Sequence, residues 1–253
     1  VLIKDGPYGT AIQRAKLGED GYRGTYDLGH DQKGNNDLVN LTQPGLIREI
    51  CDSYIDAGAH LLATNTFNAN RISQADYGAE ELVHEINVAA AKIMREAVDA
   101  REDGVPRFVA GAMGPTNKTL SLSPDVEDPG FREVTFDQIK QVYREQAAAL
   151  VEGGADFILI ETVFDTLNCK AAIMAVRELA ADMGRDIPLM ISMTLTDLSG
   201  RNLSGHTVEA FWNAVRHADP VAIGLNCSFG ADQLRPHVQL LSKIADTLLL
   251  AYP

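Results

Sequence analysis

The chain has 253 residues, 45% of them hydrophobic and 23% charged, an ordinary globular balance with enough apolar mass for a sizeable core. Its formal net charge of −13 argues against a phosphate-backbone partner, because nucleic-acid binding needs a clustered basic footprint. No run of about 18 apolar residues is present to span a bilayer, and the opening VLIKDG has neither a charged leader nor a long apolar segment. Three widely spaced cysteines, Cys51, Cys169 and Cys227, speak against a disulfide framework and for a reducing, cytoplasmic setting.

Seven short aliphatic runs follow one another along the chain: VLIKDG, LLATNTF, FVAGAMGP, FILIETVF, PLMISMTLT, AIGLNC and LLLAYP. Each ends in a polar or glycine-containing turn. Amphipathic stretches separate them. Over 80–100, Leu82, Ile86, Ala89, Ile93 and Ala97 fall on one helical stripe, and over 136–151 Ile139, Val142, Tyr143, Ala147 and Leu150 do the same. Strand then helix, repeated, means parallel strands joined by crossovers, and continuous apolar runs mean strands buried on both faces.

The repeating unit and the absence of a GxGxxG after a first strand favour a (β/α)8 TIM barrel over an open doubly wound sheet. The count is one strand short. Residues 1–253 are therefore read as a barrel lacking its last helix-strand-helix portion, trimmed from or part of a longer protein, with two exposed parallel edges. The one long irregular loop, 114–136, follows the third run and belongs to the carboxyl face, where barrel enzymes do chemistry.

The strand ends supply Asp5, then Asn65 with Thr66, the Gly114–Asn117 turn, Glu161 with Thr162, Thr194 with Thr196, and Asn226 with Cys227. The set has no arginine or lysine, which weighs against a phosphate substrate. Asp5 and Glu161 fit either a general acid and base pair or two carboxylates holding an ammonium group; capping of a following helix is the structural alternative for each. The turn DGPYGT can present backbone N–H groups to a carboxylate, although Pro7 removes one donor. The six histidines show no metal-type spacing, and His206, beside a strand-end loop, is the one held in reserve. Cys51 and Cys169 lie on helical stretches where packing is the default. Cys227 ends a strand instead, yet a catalytic zinc needs three protein ligands and this chain offers one convincing sulfur.

These segments resemble the homocysteine-binding barrel of cobalamin-dependent methionine synthases, within the homocysteine S-methyltransferases. The carriers are DGPYGT (5–10), KGNNDLV (33–39), TNTFNAN (64–70), the 114–137 loop, ETVFDTLN (161–168), SGRNLSGHTVEAF (199–211) and GLNC (224–227). DGxxGT and GLNC are shared across the wider family; the long loop and ETVFDTLN resemble the methionine synthase branch.

The resemblance implies a zinc-dependent methyltransferase of methionine biosynthesis that binds homocysteine as a thiolate for methyl transfer from methylcobalamin. It makes Cys227 the catalytic residue and first zinc ligand, with an adjacent cysteine pair expected beyond Pro253, so that the chain alone is expected to be inactive. It makes Asp5 and Glu161 the holders of the homocysteine amino group and the backbone of Gly6, Tyr8, Gly9 and Thr10 the holder of its carboxylate, with Asn226 shaping the site. Folate-binding and cobalamin-binding modules, in cis or in trans, are the implied partners. Pro7 and Ala63 depart from the family pattern. The rival readings are a homocysteine methyltransferase using betaine or S-methylmethionine, a barrel fragment that has lost zinc, and a glycosidase, for which the single Trp212 lies in the wrong kind of segment.

Overall fold

The computed structural model describes all 253 residues. In chain order the elements are α1 (Tyr8–Arg14), α2 (Glu19–Arg23), α3 (Val39–Thr42), α4 (Pro44–Asp56), β1 (Leu61–Ala63), α5 (Arg71–Gln74), α6 (Val83–Asp99) and β2 (Phe108–Met113). They continue with α7 (Phe136–Glu152), β3 (Phe157–Val163), α8 (Thr166–Met183), β4 (Leu189–Met193), α9 (Val208–Val215), β5 (Ala222–Asn226), α10 (Ala231–Ile244) and β6 (Leu248–Tyr252). The chain divides into two compact units, residues 1–113 with 145–157, and residues 114–144 with 158–253.

In the first unit β1 and β2 pair in parallel, Leu62 opposite Val109. The strand expected at VLIKDG is not formed. Lys4 makes a single parallel bridge to Leu61, and the Ile3 carbonyl accepts from both His60 and Leu61 N–H. Val1, Leu2 and Ile3 are exposed and Gly6-Pro7 follows at once, so too few residues are available to extend a ladder. Ile12, Ile47, Cys51, Leu62, Met94 and Val109 belong to the buried cluster, which confirms Cys51 as core. On α6 the buried face takes in Val83, Ile86, Ala90, Met94 and Ala97; Ile86 and Ala97 of the stripe read from the sequence are on it, Ala89 and Ile93 lie half-buried at its edge, and Leu82 falls in a 3₁₀ turn before the helix.

In the second unit β3, β4, β5 and β6 pair in parallel in chain order. Helix α7 opens on a reciprocal box: Gln138 N–H donates to Thr135 Oγ1 (3.3 Å) and Thr135 N–H to Gln138 Oε1 (2.8 Å). Helix α8 starts on Asp165, whose carboxylate accepts from Leu167 N–H, and stops at Gly184 in the left-handed conformation. Helix α9 is capped by Thr207, and Trp212 is buried within it, away from any strand end. Most sheet residues are apolar and buried up to β6, where Leu248 and Leu249 are exposed. Six strands and one bridge therefore stand where seven strands were expected. No helix is long and apolar enough to cross a membrane.

Candidate functional site

In the second unit Glu161, Asn226 and Cys227 meet at the carboxyl ends of β3 and β5. Asn226 is fully buried and saturated. Its Oδ1 accepts from Thr162 N–H (3.1 Å) and Ser192 Oγ–H (2.6 Å), and its Nδ2 donates to Thr162 Oγ1 (2.8 Å) and Cys227 Sγ (3.2 Å). The Cys227 thiol is exposed, and its backbone N–H donates to the Tyr252 carbonyl (3.1 Å) at the end of β6. The Tyr252 hydroxyl in turn donates to Glu161 Oε2 (2.9 Å). Burial first and the Glu161 charge second push the Tyr252 phenol well up, so it stays a proton donor across the neutral range.

Backbone strain gathers at the same place. Thr162, Cys227 and Ser228 have φ of 59°, 52° and 71°, a left-handed conformation that side chains oppose. Ser228 is tied down by its hydroxyl, which meets Thr194 Oγ1 (2.7 Å) and accepts from Leu195 N–H (2.7 Å). The exposed Cys227 thiol is thus carried on a strained turn.

The 114–137 loop and the ETVFDTLN segment form one built piece. Asp165 Oδ2 accepts from Leu120 N–H (3.0 Å) and Ser121 N–H (2.8 Å), and Asp165 Oδ1 from Ser121 Oγ–H (2.6 Å). Asn168 Nδ2 donates to the Lys118 carbonyl (2.8 Å), and Arg132 Nε donates to the Leu120 carbonyl (2.7 Å). Cys169, expected as packing, is buried behind this clasp, and burial pushes its thiol well up. His206 braces the neighbouring turn: its ring lies 3.2 Å from both Thr166 Oγ1 and Ser204 Oγ.

In the first unit Asp5, Gly6, Tyr8, Gly9 and Thr10 lie together at the entry to α1. The Asp5 carboxylate is buried, with Ala63 N–H donating to Oδ2 (2.8 Å) and Lys4 Nζ to Oδ1 (2.9 Å). Asp5 thus braces β1, and a lysine stands beside it where the strand-end residues read from the sequence included none. Gly6 lies close under Tyr54: a Cβ there would meet the ring at 2.7 Å and oblige it to shift. The Tyr8 side chain belongs to the core, 5.7 Å from Tyr54 edge-on, and its hydroxyl donates to Met94 Sδ (3.3 Å), so only its backbone is available to a ligand. Pro7 precedes α1 with no side-chain cap, which leaves the N–H groups of the first turn open to an outside acceptor.

The same unit bolts KGNNDLV to TNTFNAN. Asn40 Nδ2 donates to the Asn65 carbonyl (2.7 Å), Asn65 Nδ2 to the Asn36 carbonyl (2.7 Å) and Asn68 N–H to Asp37 Oδ1 (2.9 Å).

Tyr252, Ser192 and Ser228 are the residues sequence reasoning passed over. Ser192 carried a signal, being the one polar residue inside the apolar run LMISM; Tyr252 and Ser228 carried none beyond their position at a strand end. A cavity of about 800 Å³ lies elsewhere, between α8 and the amino ends of β4 and β5, the end of a barrel that serves stability rather than chemistry. No three His, Cys, Asp or Glu side chains in residues 1–253 are grouped to hold a metal ion.

Parallel strands, helical crossovers and polar side chains collected at strand carboxyl ends define an α/β protein of the barrel type. The sequence pattern of the family described as homocysteine S-methyltransferase matches residues 2–253, and the chain belongs to that family. The homocysteine methyltransferase MmuM from Escherichia coli, in its metallated form, shares the fold with a TM-score of 0.77 at 23% identity, over 100% of this chain and 83% of that one. Its oxidised form gives 0.76 at 22% identity, over 100% and 82%. A 2-naphthoyl-CoA reductase in complex with 2-naphthoyl-CoA matches 81% of this chain and 40% of its own at 13% identity, with a TM-score of 0.57. At these identities the likeness is one of fold.

Proposed function

We propose that the chain binds homocysteine and holds its sulfur as a thiolate for methylation to methionine, with methylcobalamin on another module as donor. The observation that carries this reading is that Glu161 and Cys227 share Tyr252 as a hydrogen-bond partner while Asn226 bonds the Cys227 sulfur, in a chain of the homocysteine S-methyltransferase family. For the donor, support comes from the clasp that joins the long 114–137 loop to Asp165 and Asn168, since both segments resemble the methionine synthase branch.

Cys227, exposed on a strained turn, suits a metal ligand, and the similar fold of MmuM is known in a metallated form. One thiolate does not make a zinc site, so the reading places an adjacent cysteine pair beyond Pro253. Zinc so held supplies a Lewis acid that keeps the substrate sulfur deprotonated at neutral pH. The chain's own groups do the rest. Glu161 accepts from the substrate ammonium with one oxygen while Tyr252 holds the other. The open N–H groups of the turn from Gly6 to Thr10 are assigned to the substrate carboxylate. Asp5 is assigned to the ammonium as well; the Lys4 ammonium already on its Oδ1 marks the kind of group that oxygen accepts. The sulfur then attacks the methyl carbon in line, and the S–C bond forms as the bond from carbon to its donor breaks.

The test is methionine formation from homocysteine with methylcobalamin, S-methylmethionine or betaine as donor, together with zinc content by elemental analysis, on this chain and on one extended through the next strand. Zinc and methylcobalamin-dependent turnover in the extended chain are expected, with Cys227→Ala losing both. Glu161→Gln should raise the homocysteine KM about tenfold, the loss of one charge-assisted contact. Turnover with betaine or S-methylmethionine alone would move the chain to that other branch, and zinc unchanged in Cys227→Ala would overturn the assignment of the sulfur.

A further inference from the structure

Thr162 holds a conformation that its own side chain opposes. Its φ of 59° lies in the left-handed region, where a β-branched residue is a genuine outlier. It sits in a bulge: Ile160 pairs with Ile191 and Val163 with Met193, so that Glu161 and Thr162 together face Ser192 alone. A bulge of this kind re-aims the side chains of its own residues, and one of these is Glu161. Strained backbone of this sort persists only where its surroundings over-determine it.

The surroundings that do so converge on one side chain. A carboxamide has two acceptor positions and two donors, and Asn226 has a partner for each: Thr162 N–H and Ser192 Oγ on its oxygen, Thr162 Oγ1 and Cys227 Sγ on its nitrogen. Two of the four bonds grip both ends of the strained residue. A third anchors the amide to Ser192, itself fully buried opposite the bulge. To touch a substrate, Asn226 has to give up one of these bonds.

We infer that Asn226 is a positioning residue rather than a substrate contact: its amide locks the left-handed bulge at Thr162 and so sets the direction of the Glu161 carboxylate. This rests on the reading of Glu161 as a homocysteine-holding group. The same amide fixes Cys227, so the two groups keep one geometry relative to each other.

A double-mutant cycle separates positioning from contact. Glycine adopts the left-handed region without cost, so Thr162→Gly removes the need for the lock. Homocysteine affinity by calorimetry is measured for the unsubstituted protein, Asn226→Ala, Thr162→Gly and the double variant, all carried in the chain that completes the site. Asn226→Ala is expected to weaken binding about tenfold in the native background and less than about threefold in the Thr162→Gly background. Equal loss in both backgrounds is what a direct substrate contact gives, and it overturns the inference. If Asn226→Ala does not fold, Ser192→Ala, which removes the 2.6 Å anchor, replaces it in the same cycle. Absence of homocysteine binding in the unsubstituted protein overturns the assignment of the site instead. The unfolding midpoints of the four proteins then test the lock by themselves: a fall on Asn226→Ala that shrinks beside Thr162→Gly supports it, and an equal fall refutes it.

Discussion

Gly224 has no room for a side chain. It pairs with Leu250 across β5 and β6, and a Cβ built on it would lie 1.9 Å from the Leu250 carbonyl oxygen and 2.7 Å from the Leu250 Cβ. Real Cβ contacts are no closer than 3.0 Å, so Gly224→Ala obliges β6 to retreat by more than 1 Å. The obstacle is backbone, which cannot swing aside as a side chain would. Overpacking of this kind costs about 1–3 kcal/mol. The retreat also strains two neighbouring bonds, Cys227 N–H to the Tyr252 carbonyl (3.1 Å) and the Tyr252 hydroxyl to Glu161 (2.9 Å), worth about 1 kcal/mol each. The sum is about 3–5 kcal/mol, or a fall in the thermal midpoint of about 6–20 °C for a chain of this size. Differential scanning calorimetry measures it, with urea unfolding at a fixed temperature as the control. A midpoint within about 1 °C of the native protein would show that β6 does not press on Gly224 and refute the close approach of the two strands.

Two other perturbations follow from the same structure. Asp165→Ala removes the cap of α8 together with the anchors of Leu120 and Ser121, a loss of about 2–4 kcal/mol; limited proteolysis should then cut within 121–131, and unchanged protection there would show that the clasp is not what orders the loop. Asp37 is buried, and burial pushes its carboxyl up to about 7 although Asn68 N–H donates to it. A folded-state pKa above the unfolded value means that between about pH 4 and 7 the native state keeps a proton that the unfolded chain has released, so the stability it contributes is fully present below pH 4 and is lost as pH rises to 7. Asp37→Asn should therefore match the native protein in urea unfolding near pH 4 and exceed it by up to about 4 kcal/mol at pH 8, whereas a difference that does not change with pH would refute the burial.

The sequence made the architecture legible where period and composition agreed. The runs FILIETV and AIGLN have no other use than buried parallel strands, and they are strands. VLIKDG looked the same by composition, but strand pairing is a tertiary property, and one bridge at Lys4 is all that its position allows. On α6 the stripe caught Ile86 and Ala97 but only the edge of the buried face at Ala89 and Ile93, because a helix buried over a wide face leaves several stripes equally apolar.

The site was legible as a set of strand ends and not as a network. Glu161, Asn226 and Cys227 were named from position alone, and the motifs that carried the family resemblance prove to be hydrogen-bonded in pairs, KGNNDLV with TNTFNAN and the long loop with ETVFDTLN. What stayed hidden were partners whose role depends on residues far along the chain, such as Tyr252 for Glu161, 91 positions away, and Ser192 for Asn226, 34 positions away. The left-handed turn of Thr162 was hidden too, because nothing in a β-branched residue announces it.

Tyr252 gives the molecule an order in time. It offers its carbonyl to Cys227 and its hydroxyl to Glu161, so two groups made earlier wait on a residue made later. A ribosome delivers the chain from its amino end at about 5–20 residues per second, so at least several seconds pass between the emergence of Glu161 and that of its phenol. During that interval β5 has no β6 beside it, and the strained turn at Cys227 lacks its bond to the Tyr252 carbonyl. The nascent protein thus carries Glu161 and Cys227 before it carries the residue that joins them, and the step that supplies this joint is the pairing of one five-residue strand.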